Sequence, residues 1–279
     1  EQLKKILKET HDLVDLQYST YNRSLIPALK KRGLKIISEH ESLSEEQKKF
    51  VDAYFEENVY PVLTPMAMDS SRPFPLIRNK TLNIGALICR KDGKEKHKTL
   101  DFATVQVPSV LPRIVELPEG KDGEKRVILL EEIIERNIGQ LFLSYDVVCA
   151  HPYRVMRNAD LSIDEDEAED LLKEIQKQLK KRQWGEVIRL EVEASVDQKL
   201  LRFLKDELKV AEEDIFQISG PIDLTFLMKM YGLSGCDSLR YEPYKPQRVP
   251  EIEPGEDIFE AIRVGDILLH HPYETFDPV

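Results

Sequence analysis

Apolar residues recur every three or four positions at the start of the chain: Leu3, Leu7, Val14, Tyr18, Tyr21, Leu25 and Ala28. This spacing predicts one long amphipathic helix over 3–29, its stripe broken at Thr10 and His11 and widened by Ile6, Leu13 and Leu29. Pro27 is placed to kink it and Gly33 to end it. A second helix is predicted from Ser44, where Ser44 and Gln47 form a capping-box pattern. Its apolar face is Phe50, Val51, Tyr54, Phe55, Val59 and Tyr60, and it ends at Pro61. From Leu82 the period becomes that of strands. LNIGALICR (82–90), TLDFATVQVP (99–108) and RIVELPE (113–119) are three strand candidates, joined by polar, glycine-containing hairpin loops at 91–98 and 119–126.

VILLEEIIERNIGQLF (127–142) reads as a helix and VVCAHPYRVMRN (147–158) as a strand with a bend at Pro152. Residues 160–182 read as a helix with acids at its start and bases at its end, as the macrodipole favours. GEVIRLEVEASV (185–196) alternates apolar and charged residues and predicts a half-exposed strand. Two short helices, a strand-like DIFQIS and a further short helix over PIDLTFLMKMYGL follow. YEPYKPQRVPEIEPGED (241–257) holds four prolines and reads as a linker, after which something new begins. The expected fold class is α+β: a mixed, mainly antiparallel sheet with packed helices over 41–254. Helical material precedes it over 1–40, and the start of another module follows over 255–279. There is no internal repeat.

One stretch resists this pattern. PVLTPMAMDSSRPFP (61–75) carries four prolines, one acid (Asp69) and one base (Arg72). Each proline removes a backbone donor, so no strand is expected here, and a plain loop would be more polar. From its residues it is a stiff, apolar, proline-locked segment.

The formal charge of −11 argues against wholesale nucleic-acid binding; any polyanion needs a locally basic patch. No stretch approaches the ~20 apolar residues of a membrane span. Cys89, Cys149 and Cys236 form no CxxC pair and read as buried free thiols. The charged, helical opening without an initiator Met reads as the interior of a longer protein.

Signatures of chemistry are sparse. On a strand, His270 and His271 would point to opposite faces, so they cannot share a ligand, and no HxxH or HExxH occurs. DEDEAED (164–170) lacks the glycine and alternate spacing of a calcium loop and suits a helix start. GxxxxGK[ST], GxGxxG and GxSxG are all absent. The anion-contact candidates are Arg72, Arg78 and Lys80 around a proline-stiffened turn, with Arg154 and Arg157, three apart and so on opposite strand faces. A preset backbone lowers the entropy cost of holding cations for an anion.

Five ordered blocks carry a resemblance. YFEENVYPVLTPMAMDSSRPFPLIRNKTLNIGALI, YRVMRNADLSIDEDEAEDLLKEIQKQL, GEVIRLEVEASV, DIFQISGPIDLTFLMKM and FEAIRVGDILLHHPYETFDPV together resemble the large bacterial polyphosphate kinases over nearly the whole chain. The resemblance implies the end of an N-terminal helical domain (1–40), a head domain (41–254) and the opening strand of a first C-terminal catalytic domain (255–279). It implies an enzyme that moves the terminal phosphate of ATP onto polyphosphate through a phosphohistidine, with magnesium, and that assembles as a homodimer through its head. The family's two catalytic histidines map beyond Val279 and its adenine-contacting asparagine before Glu1. No catalytic residue or metal ligand is therefore carried onto this chain, no cofactor is expected bound to it, and it is expected to be inactive alone. The resemblance also implies a cytoplasmic protein with room for peripheral association with the inner membrane. Trp184 departs from the basic residue some relatives carry at that turn. The competing expectation is a non-catalytic module that binds an anion or a protein partner.

Overall fold

A computed structural model of the chain describes residues 1–68, 73–91, 99–118, 123–158, 185–253 and 255–274. The helix expected at 160–182, the acidic run at 164–170, Trp184, Arg72 and most of the two hairpin loops lie outside the described residues.

The first helix, α1 (Gln2–Thr20), continues through a widened turn at Tyr21–Leu25 into α2 (Ile26–Lys31). The widening immediately precedes Pro27, whose ring would crowd the carbonyl four residues back in a regular helix. Tyr18 and Tyr21 are buried, whereas Leu3, Ile6, Leu13 and Leu16 stay exposed. Strand β1 (Leu34–Ile37) follows, then α3 (Glu45–Tyr54), with both capping-box hydrogen bonds made between Ser44 and Gln47.

The proline-rich segment contains a strand after all. Between Pro65 and the next proline, β2 (Met66–Met68) pairs antiparallel with β4 (Asp101–Gln106) at the edge of a six-stranded sheet. An edge is where flanking prolines are tolerated. The sheet runs β2-β4-β3-β7-β8-β9, with β3 at Leu82–Arg90, β7 at Tyr145–Arg157, β8 at Val187–Glu193 and β9 at Ile215–Ile218. Every pair in it is antiparallel except β8–β9. Central β3 is buried along all but its last residue, which is why it reads as a continuous apolar run. Ile84, Ala86 and Ile88 face a core shared with α3 and with α4 (Leu130–Asn137). Leu87 joins Phe102, Tyr153 and the leucines of α5 (Gln198–Leu208) on the other face.

Two expectations in this stretch need correction. Residues 127–142 are not one helix: Lys125–Leu129 is strand β6, which pairs parallel with β1 and antiparallel with β5 (Ile114–Glu116) before α4 begins. The apolar, β-branched start of the segment has a strand partner that helical periodicity does not reveal. The strand expected at 147–158 is present as β7, paired at Pro152 with Ile84; its register shifts lie opposite Leu87/Ile88, leaving Val148 as the extra residue, and at Met156/Arg157. Cys149 is only half-buried, unlike Cys89 and Cys236.

The chain divides into two compact units, residues 1–229 and 230–279. Within the first, α1 is fastened to the body. The His11 ring stacks on Phe216 at 3.8 Å, Tyr18 Oη donates to the Pro221 carbonyl at 2.7 Å, and Asn22 Nδ2 donates to the Ser219 carbonyl at 2.6 Å. Gly220, at φ +155°, lets the Tyr18 ring lie against the backbone. In the second unit, α6 (Phe226–Met230) has ended and α7 (Ile258–Val264) is the one α-helix among the described residues, capped by Asp257. His270–Tyr273 form a turn instead of a strand: the His270 N–H donates to the Glu274 carboxylate at 2.7 Å. No helix among the described residues is long and apolar enough to cross a membrane.

Candidate functional site

The proline-stiffened segment leads into a turn at 77–80 that is bolted to β7. Phe74 stacks on Phe102 and lies against Phe203, and Ile77 is 1% exposed, so the chain enters the turn from a packed anchor. Lys80 takes a left-handed backbone conformation (φ 61°) and donates its N–H to the Val155 carbonyl at 2.8 Å. Thr81 Oγ1 donates to the Arg78 carbonyl at 2.9 Å.

Arg157 completes the fastening. Its backbone N–H donates to Asn79 Oδ1 at 3.0 Å, its Nε to the Ile77 carbonyl at 2.8 Å and its Nη1 to the Gly185 carbonyl at 2.8 Å. Gly185 must be glycine, since a Cβ there would sit 2.2 Å from the Asn158 carbonyl oxygen. Partial burial pushes the Arg157 guanidinium pKa down. Arg78 and Lys80 are exposed on the same turn. Among the described residues no carboxylate pairs with Arg78, Lys80 or Arg157. The result is a rigid, locally cationic corner in an acidic chain.

Arg154 is not part of it. Its Nη1 lies 3.4 Å from Glu191 and 3.6 Å from Asp223. It belongs to a charged network that also includes Arg113, which grips buried Glu131 through Nε and Nη2 and donates to the carbonyls of Ile222 and Asp223. This network pins the SGPID loop to α4. Sequence reasoning thus grouped five cations of which Arg78, Lys80 and Arg157 come together, Arg154 is neutralised elsewhere, and Arg72 lies outside the described residues.

A second feature was missed. A cavity of about 670 Å³ is lined by Glu39, His40, Glu132, Glu135, His151 and Glu193, among others. The His40 N–H donates to Glu132 at 3.1 Å, and His151 Nδ1 lies 3.5 Å from Glu193. Burial and then the charge of Glu193 push the Glu135 carboxyl up to about 9. Burial likewise raises Glu132, against the hydrogen bond from His40. These residues come from four separate stretches, and no spacing signals their meeting.

The comparisons identify the family and the fold. The family described as "Polyphosphate kinase middle domain" matches residues 46–230. Polyphosphate kinases of Exiguobacterium sibiricum and Bacillus anthracis are 43% and 41% identical over the whole chain, of which it covers 38% and 40% respectively. A protein named polyphosphate kinase 1 in Chlorobaculum tepidum is 35% identical. The chain thus spans about two fifths of the length of these relatives. The crystal structure of polyphosphate kinase from Porphyromonas gingivalis superposes with a TM-score of 0.73 at 22% identity, over 99% of this chain and 40% of that one, and so shares its fold. The chain belongs to the polyphosphate kinase family.

Proposed function

We propose that this chain is the head of a polyphosphate kinase, which reversibly transfers the terminal phosphate of ATP to polyphosphate through a phosphohistidine. In this reading the phosphorylated histidine is not on this chain. The head contributes scaffold, a homodimer contact and one wall of the phosphate path, in a cytoplasmic enzyme. The observation that carries the reading is the cationic corner of Arg78, Lys80 and Arg157, held at fixed geometry and without carboxylate partners among the described residues. Phosphoryl transfer depends mainly on positioning and charge neutralisation, and fixed cations supply both without reorganising.

His270 and His271 suit a structural role better than a nucleophilic one. The turn that carries them closes on Glu274, with His271 Nδ1 3.2 Å from its carbonyl oxygen. Magnesium would accompany ATP in the whole enzyme and screen its phosphates. Among the described residues no three His, Cys, Asp or Glu side chains are placed to hold a metal ion.

The test is ATP-dependent polyphosphate synthesis, with magnesium, by this chain and by the full-length protein that contains it. Synthesis by the longer protein only is the expected result. Synthesis by this chain alone would place a phosphate carrier within it and overturn the scaffold reading. Silence from both would favour a non-catalytic binding module.

A further inference from the structure

The end of α2 carries KKRGLK (30–35), the densest run of bases among the described residues. Lys30 and Lys31 occupy the last turn, Arg32 is its cap, and Gly33 (φ 80°) turns the chain into β1. Lys30, Lys31 and Arg32 are exposed and Lys35 is half-buried. The parallel register of β1 and β6 then sets Lys35 beside Arg126 on one face, and the Lys125 N–H donates to the Gly33 carbonyl at 2.8 Å. Acids answer only the β6 pair: Glu116 lies 2.9 Å from Lys125 and Glu124 3.3 Å from Arg126. Lys30, Lys31, Arg32 and Lys35 have no carboxylate partner among the described residues.

A helix C-terminus accounts for two cations, because the macrodipole favours them there. It does not account for Lys35, which lies beyond the helix and beside Arg126 across the strand pair. In a chain of net charge −11, such a concentration is offset most simply by a bound anion.

We propose that Lys30, Lys31, Arg32 and Lys35 form a second anion-binding patch that holds a stretch of linear polyphosphate by charge alone. The inference rests on the proposed function for the identity of the anion. The run 30–35 itself carries no aromatic residue on which the bases of a single-stranded nucleic acid could stack. Among the described residues, no exposed large hydrophobic side chain lies between Leu16 and Tyr60 in sequence to enter a lipid surface.

The test is binding of medium-length sodium polyphosphate to the full-length protein over a range of salt. Three forms are compared: wild type; Lys30→Gln/Lys31→Gln/Arg32→Gln/Lys35→Gln; and Lys30→Arg/Lys31→Arg/Lys35→Arg. The neutral variant is expected to bind at least about fivefold more weakly at low salt, with a log–log salt slope shallower by about 2–3, at roughly 0.7 per cation removed. The arginine variant is expected to match wild type, and thermal melting shows that all three fold. If the neutral form does not fold, Lys30→Gln/Lys31→Gln alone, at exposed positions, should give half the slope change. Unchanged affinity and slope would overturn the patch and leave the proposed function standing. Failure of wild type to bind polyphosphate would overturn the proposed function itself. Patch-dependent binding to phosphatidylglycerol vesicles, with polyphosphate binding unaffected, would also overturn the inference.

Discussion

Arg157 Nε donates to the Ile77 carbonyl at 2.8 Å, and through that bond strand β7 holds the turn that presents Arg78 and Lys80. The arginine is thus a positioning group whose own charge adds to the corner it builds. Arg157→Met should remove two side-chain bonds and leave carbonyls at Ile77 and Gly185 without these partners. Lost charge-assisted hydrogen bonds of this kind cost about 1–3 kcal/mol, measurable as a lower urea midpoint with an unchanged slope. Retention of full stability would mean that the turn is held without it.

Gly185→Ala tests the same junction from the other side. A methyl group 2.2 Å from the Asn158 carbonyl oxygen forces the backbone to move. The expected cost is about 1–3 kcal/mol in the same denaturation assay. Gly139→Ala, with open space around the site, is the matched control and should leave stability nearly unchanged.

Arg113 and Glu131 should behave as a coupled pair. Glu131 is 3% exposed, and Arg113→Met strands its carboxylate in the interior. Breaking a buried pair on one side costs about 3–5 kcal/mol, whereas replacing both partners by apolar groups recovers much of that. A double-mutant cycle with Glu131→Leu reads the coupling directly; additive effects would contradict the network described here.

Glu135 gives the acidic cavity a pH signature. Its carboxyl titrates near 4.5 when unfolded and is pushed up to about 9 when folded. Between those values the folded state holds the extra proton, so this group makes stability fall as pH rises. Glu135→Gln should therefore raise the melting temperature at pH 8 and do so much less at pH 5. Equal shifts at both pH values would show that Glu135 is ionised in the folded protein.

The legible parts of this molecule are those with local signals. β3 announces itself because both faces are buried, and the Ser44–Gln47 capping box fixes the start of α3. The β1–β6 pairing is not legible. VILLEEII satisfies a helical period, and its partner, LKII, lies some ninety residues away in parallel register. The candidate site was half legible for a related reason. Arg154 and Arg157 look alike in sequence, and only their neighbours separate them. Arg154 meets Glu191 and Asp223, while Arg157 meets carbonyls. His40, Glu135 and His151 meet only after folding, so no motif could point to their cavity.

The most direct test of the cationic corner uses the full-length protein carrying Arg78→Gln/Lys80→Gln, both exposed positions that leave the Arg157 anchor in place. Steady-state kinetics with polyphosphate as the varied substrate should show KM raised about tenfold at low salt and the difference shrinking as salt increases, with kcat within about twofold of wild type. An unchanged KM at every salt concentration would contradict the assignment of this corner to the phosphate path.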